Sequence, residues 1–221
     1  MKIIVGVAND SHLKYAASIC RMIEEASKIR GTGIAKREPA YISQKITEGK
    51  SVIATHNGEV VGYCYIESWE GQKFVANSGL IVHPNYRKTG LAREIKSAIF
   101  ELSVKKFPNA KLFGITTSLA VMKINSDLGY RPVTFAELTS DDAFWKGCEG
   151  CVNHDILMRT KRSMCLCTGM VCVPSAQPIN NYQVRRKISW ENFKIFLVER
   201  RKRLKSKSKE YPILKKFENE K

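Results

Sequence analysis

Between Phe74 and Leu102 the chain changes its hydrophobic period, and that change limits what it can fold into. An apolar run from Phe74 to Val82 stops at His83-Pro84, and a basic turn follows, Asn85-Tyr86-Arg87-Lys88-Thr89-Gly90. Apolar residues then recur at Leu91, Ile95, Ala98, Ile99 and Leu102, which fall on one face at 3.6 residues per turn. A strand that passes directly into an amphipathic helix leaves the first helical amides without partners. Those amides lie at the positive end of the helix dipole and form an anion site. Gly90 admits a ligand close to the main chain, Ala92 keeps the helix start narrow, and Arg87 and Lys88 add positive charge. The segment reads as a pyrophosphate cradle.

The rest of the chain supplies an α/β frame around it. Met1 to Val7 reads as a first strand. Asp10-Ser11 offers a helix cap, and a stripe through Leu13, Ala16, Cys20 and Ile23 runs to about Arg30. Pro39 opens a second helix toward Gly49. Ser51 to Thr55 and Val60 to Glu67 read as strands joined at Asn57-Gly58, a hairpin signal because both residues tolerate positive φ. Leu112 to Thr117 is another strand, and a helix from Ser118 to Leu128 ends at Gly129. No run of about twenty apolar residues is present, so no membrane span is expected. The N-terminus lacks secretory-signal character, and seven cysteines without such a signal point to a reducing cytoplasm.

Arg87-x-x-Gly90-x-Ala92, placed after the strand ending Val82-His83-Pro84, resembles the acyl-CoA motif of the GNAT superfamily of N-acetyltransferases. Leu128-Gly129-Tyr130-Arg131-Pro132-Val133 looks like the segment leading into that family's next strand. The resemblance covers roughly residues 1–137. It implies a mixed central sheet flanked by helices in the order β-α-α-β-β-β-α-β-α-β. The expected division is an acyltransferase core over 1–140, a cysteine-rich extension over 141–175 and a basic, partly helical tail over 176–221.

By the same resemblance, the strand ending at Val82 splays from Leu112–Thr117. The pantetheine arm of acetyl-CoA, or another acyl-CoA, then lies against Leu80, Ile81 and Val82. Arg87, Lys88, Thr89, Gly90, Leu91 and Ala92 hold the pyrophosphate. The reaction needs a base to take a proton from the attacking amine. Glu67, at a strand end beside the cleft, is the first candidate, and Glu70 is the second. The family's tyrosine acid falls at Asn125 here, and an amide cannot donate a proton as an acid. Tyr130 and Tyr86 stand in as alternatives, with Asn125 left to hydrogen-bond the sulfur or the pantetheine.

The first inter-helix loop, which lines the acceptor site in this family, reads Arg30-Gly31-Thr32-Gly33-Ile34-Ala35-Lys36-Arg37. Arg30, Lys36 and Arg37 suit an acceptor bearing carboxylates. Residues 128–133 with Cys151 to Arg159 also look like the end of glutamate N-acetyltransferases of arginine biosynthesis. An acidic amino acid such as glutamate is therefore the expected acceptor, with acetyl or succinyl as the acyl group. A protein lysine, a polyamine or an aminoglycoside is the alternative within this chemistry. A non-catalytic nucleic-acid-binding protein on the same scaffold is the alternative outside it.

Cys148-x-x-Cys151 and Cys165-x-Cys167 bring four of the seven cysteines into two close pairs, a spacing that suits structural zinc. His154 and Cys172 are substitute ligands, and free thiols or a redox pair are the competing readings. The net charge is +16. From Arg185 to Lys221 there are fourteen Lys/Arg against five Asp/Glu, a balance of +9, so most of the excess lies in the tail. That tail, with Trp190, Phe193 and Phe196 on one side of an expected helix, could contact nucleic acid or pack by its aromatic face. Self-association is left open.

Overall fold

The computed structural model describes residues 2–30 and 36–174, together with Val198; the side chains of residues 29 and 30 are excepted. The expected basic C-terminal helix and the residues 31–35 of the acceptor loop lie outside the described set. Contacts divide the chain into Met1–Gln177 and Pro178–Lys221, and only the first unit is described below.

Four antiparallel strands come first: β1 (Ile4–Val7), β2 (Ser51–His56), β3 (Glu59–Trp69) and β4 (Phe74–Val82). Helices α1 (Ala16–Arg30) and α2 (Pro39–Thr47) intervene between β1 and β2, and α3 (Leu91–Lys106) follows β4. Then come β5 (Lys111–Thr116), α4 (Leu119–Asp127), β6 (Arg131–Val133), α5 (Asp142–Lys146), α6 (His154–Arg159) and β7 (Thr168–Cys172). The sheet order is β1-β2-β3-β4-β5-β7-β6. This is the mixed, helix-flanked sheet that the sequence implied.

Local chemistry explains most boundaries. The β2–β3 hairpin turns at Asn57 and Gly58, both with positive φ (52° and 78°). Ser118 caps α4 by accepting from the Val121 amide, and Gly129, at φ 90°, ends it. The first helical region starts differently from the expected Asp10-Ser11 cap. Asn9 accepts from Ser11 while His12 reaches back to the Asn9 amide, which opens a 3-10 turn, Asp10–Tyr15, ahead of α1.

Alternation along the strands gives the sheet two apolar faces. Helix α3 covers one, packing Leu91, Ile95 and Ile99 against Val52, Cys64, Ile66, Val75 and Leu112. On the other face α1 and α2 cover Ile53, Tyr63, Tyr65 and Ile81. Further along that face, Trp145 of α5 and Leu157 of α6 cover Ala76, Phe113 and Val171.

The segment 141–175 is not set apart from the sheet. Its last strand, β7, lies between β5 and β6, pairing Leu112↔Cys172 through Thr116↔Thr168 on one side and Arg131↔Val171 through Val133↔Gly169 on the other. Beside β5 the sheet opens on its other edge. β4 and β5 are parallel and pair only at Phe74↔Lys111, Val75↔Leu112 and Ala76↔Phe113. Beyond Ala76 the two strands part.

Candidate active site

The gap begins at Asn77, and strand geometry fixes which main-chain groups face it. Ile66 lies opposite Asn77, but its amide donates to Lys50 O on the β2 side at 2.8 Å. Opposed residues exchange both ladder bonds or neither, so Asn77 turns its carbonyl away from β3 and into the gap. Further along, the His83 amide donates to Val61 O at 2.9 Å, which directs His83 and Ile81 toward β3 and Leu80 and Val82 toward the gap. Of the three strand residues expected at the pantetheine arm, Leu80 and Val82 therefore present main-chain groups to the opening. Ile81 does not; it faces β3 and buries its side chain under α1 and α2.

A β-bulge makes this register possible. Tyr63 opposes Ile81 and Tyr65 opposes Ser78, so β4 holds one extra residue beside Cys64. Gly79 sits in the bulge at φ 64°, and a Cβ there would lie 2.2 Å from the Tyr65 ring. Nothing in the sequence alone singles out Gly79. The requirement becomes visible only when Tyr65 is packed against it.

At the open end of the gap, Lys88 (φ 65°) and Gly90 (φ 93°) form the turn into α3. Gly90 caps the helix without a side-chain bond, and no atom lies within 4 Å of where its Cβ would be. Arg93 and Glu94 both use Gly90 O as acceptor, which leaves the amides of Leu91 and Ala92 at the helix mouth. Thr89 Oγ1 donates to Tyr86 O at 2.7 Å and holds the turn closed. Arg87 folds back, its Nε donating to Val82 O at 3.2 Å. Its fork thus bridges the turn and the strand that faces the gap.

The side chains expected to do chemistry fall into two groups on opposite faces of β4. On the α1/α2 face, Tyr41 donates to the Glu67 carboxylate, and Arg37 lies 4.0 Å from the same oxygen. Arg37 Nε donates to Tyr65 OH at 2.8 Å, and the guanidinium stacks 5.2 Å from the Tyr41 ring centroid. Lys45 sits 4.9 Å over the same ring. Burial, then the bond to Glu67, pushes the Tyr41 hydroxyl far above its usual range, and burial does the same for Tyr65. Burial lowers Lys45, with Glu67 opposing it. Glu67 and Arg37, named separately from the sequence, are thereby brought together. Lys36 is exposed, 3.7 Å from Glu38, and does not join them. The Arg30 side chain lies outside the described residues.

Glu70 is not part of this group, which corrects its place as second candidate base. Its Oε1 accepts from Thr139 Oγ1 at 2.7 Å and from the Ser140 amide at 2.8 Å. Those bonds, Thr139 first, lower its pKa. Glu70 pins residues 139–140 to the end of β3.

On the α3 face, Tyr130 OH donates to Asn77 Oδ1 at 3.2 Å, and Asn77 Nδ2 donates to Ser103 at 2.7 Å. Tyr130 is buried, which raises its pKa well above normal. Asn125 is buried too; its Nδ2 donates to Met170 Sδ at 3.6 Å, while its Oδ1 has no hydrogen-bond partner. Tyr86, the other stand-in acid, bonds His56 Nδ1 at 2.8 Å, beside the hairpin and outside this group.

The zinc expectation finds no support among the described residues. Cys148, Cys165 and Cys167 pack against the Phe113–Trp145 cluster, and all four candidate cysteines are free. Burial first, then neighbouring thiols, pushes Cys148 up to about 11 and Cys167 up to about 12, so both hold their protons at neutral pH. Cys172 points to the opposite face of the sheet, and His154 adds nothing, because no group of three or more His, Cys, Asp or Glu side chains among the described residues is arranged to hold a metal. Cys148, Cys165 and Cys167 are held by apolar packing. No helix among the described residues is long and apolar enough to cross a membrane.

Comparison with known proteins agrees with this geometry. Residues 20–118, a little under half of the chain, match the acetyltransferase (GNAT) family. No curated protein matches the sequence. Among solved structures, the N-acetylglutamate synthase of Neisseria gonorrhoeae, complexed with coenzyme A and N-acetyl-glutamate, aligns with TM-score 0.53 at 15% identity. That alignment covers 78% of this chain and 35% of the synthase, so this chain spans about a third of it. A putative acetyltransferase from Salmonella typhimurium with acetyl-CoA aligns at TM-score 0.54 and 14% identity, covering 78% of this chain and 94% of that one. The diaminobutyrate acetyltransferase of Paenibacillus lautus, complexed with L-2,4-diaminobutyric acid and coenzyme A, aligns at TM-score 0.54 and 8% identity, covering 80% and 98%. At such identities the likeness is one of fold.

Proposed function

We propose that the protein transfers an acetyl or succinyl group from acyl-CoA to the amine of a small acceptor that carries a carboxylate, an acidic amino acid such as glutamate. The observation that carries this reading is the Arg37–Tyr65–Glu67 cluster beside the Gly79 bulge, on the face opposite α3. Arg37 and Lys45 outnumber the one carboxylate in that cluster, so the pocket favours an anion over a cation. Arg37 donates from Nε to Tyr65 OH and from Nη1 to Lys36 O, so Nη2, 4.0 Å from Glu67, is the nitrogen that remains to meet a carboxylate.

In this reading the main chain at Leu80 and Val82 receives the pantetheine arm as an added strand would be received. The amides from Lys88 to Ala92, with Arg87, hold the diphosphate, each contact contributing about 0.3–1 kcal/mol. The unpartnered Asn125 Oδ1 accepts from an amide of the arm. Glu67 takes the proton from the acceptor amine, with Tyr41 and Arg37 fixing the carboxylate's direction. A synthase of similar fold, crystallised with N-acetyl-glutamate, adds support for the acidic acceptor.

The test is a panel of amines offered with acetyl- and succinyl-CoA while free thiol is followed. Turnover with glutamate or a close relative, and none with polyamines, aminoglycosides or lysine peptides, is the expected result. Turnover confined to the cationic amines overturns the acceptor assignment.

A further inference from the structure

Lys96 is the most unusual charge among the described residues. It lies on α3 beneath the sheet, 4% exposed, within an otherwise apolar core. Its Nζ lies 3.4 Å from Asn77 O, the carbonyl that faces the gap where β4 and β5 part. Its ammonium is 5.7 Å from the Tyr130 ring centroid. No carboxylate among the described residues pairs with it. The titratable groups that face it are Cys64 from β3 and Tyr130 from the turn after α4, with Cys172 of β7 behind Tyr130. All of these are neutral when protonated. A buried cation with one long hydrogen bond and no anion is costly to keep, and it points to an anion that arrives during function.

We propose that Lys96 is the proton donor to the departing sulfur of coenzyme A, at the closed end of the β4–β5 gap. This rests on the acyl-CoA reading above. The alternatives on the same face are weaker. Asn125 has no acidic proton, and the Tyr130 proton is engaged with Asn77. The amine nitrogen forms its bond to the thioester carbonyl carbon and gives a tetrahedral adduct. As the adduct collapses, the C–S bond breaks and its electron pair stays on sulfur. Sulfur takes a proton from Nζ, leaving the thiol and a neutral lysine amine, which is reprotonated before the next turnover. Burial lowers the Lys96 pKa, with Cys64 partly opposing it, and a depressed lysine gives up its proton more readily than an exposed one.

The experiment compares wild type with Lys96→Met and Lys96→Arg, and begins with binding of free coenzyme A by calorimetry. If wild type takes up none, the acyl-CoA reading itself fails. With binding established, the thiol of bound coenzyme A is titrated by the ultraviolet absorbance of its thiolate. On wild type it should ionise about 1–3 pH units below the free coenzyme, because a cation within a few ångströms favours the thiolate. Lys96→Met should bring it back to the free value, and Lys96→Arg should keep most of the shift. In turnover, Lys96→Met should lower kcat by about 10²–10⁴-fold with KM for acyl-CoA little changed. Should either variant bind the coenzyme and leave both the thiol titration and kcat as in wild type, the assignment is wrong. If Lys96→Met does not fold, Lys96→Arg decides. Its guanidinium keeps the charge but cannot release a proton, so a retained thiol shift with a lost kcat supports the proposal, and an unaltered kcat rejects it.

Discussion

The two faces of β4 hold charge in opposite ways. Toward α1 and α2, Glu67 is surrounded by Arg37, Tyr41 and Lys45, and every charge has a partner. Toward α3, Lys96 has no counter-ion among the described residues, only the Asn77 carbonyl and the face of the Tyr130 ring. The first arrangement is complete before any ligand arrives and suits recognition. The second lacks its counter-charge and suits a step in which negative charge appears. Gly79 and Asn77 lie between the two groups, so one strand separates the proposed acceptor site from the proposed leaving-group site.

The largest effect that would test this division comes from Glu67→Gln. If the carboxylate is the base, kcat falls about 10²–10⁴-fold with coenzyme binding unchanged, measured by thiol release beside calorimetry. Gly79→Val attacks the divider itself. A branched side chain at φ 64° against the Tyr65 ring should destabilise the fold by about 1–3 kcal/mol through backbone strain, with steric overlap adding to that, as read by denaturant melts. Arg37→Met removes a charged hydrogen-bonding group from the acceptor face. KM for the acidic acceptor should rise about 10–100-fold while KM for acyl-CoA stays put, since such a contact contributes about 1.5–3 kcal/mol.

A smaller, pH-dependent effect separates the faces by sign. The folded state depresses the Lys96 pKa, so folding disfavours its proton at neutral pH, and this penalty fades as pH rises toward the lysine value of the unfolded chain. Lys96→Met should therefore melt higher than wild type near neutrality, by a margin that narrows as the solution becomes alkaline. A constant margin across pH would mean that Lys96 binds its proton equally well in the folded and unfolded chain, so that its pKa is not depressed. The smallest effect belongs to Glu70→Ala. Outside the charged cluster, it should leave kcat within about two- to three-fold of wild type.

The strand, turn and helix proposed to hold the coenzyme were legible in advance because their signals are local. A strand ending at a proline, a basic turn and a glycine at the helix cap all lie within a dozen residues, and Phe74–Val82 appears with the bounds read from sequence. The proposed acceptor side was half legible. Arg37 and Glu67 could be named singly, but their meeting through Tyr65 and Tyr41 depends on how α2 packs on β3. Glu70 looked equivalent to Glu67 until Thr139 and Ser140, some seventy residues later, closed on it. Lys96 escaped notice because a lysine on an amphipathic helix ordinarily faces water. The cysteine spacing was real, yet apolar partners at Phe113 and Trp145 decide what those thiols do.

The position of β7 has a consequence for how the chain can be made and cut. Among the described strands, β6 joins the sheet only through β7, which is synthesised well after it. During translation Arg131–Val133 must therefore wait, unzipped, until Thr168–Cys172 arrives to wedge itself against β5. A chain ended near residue 140 would leave two ragged borders where the finished protein has none.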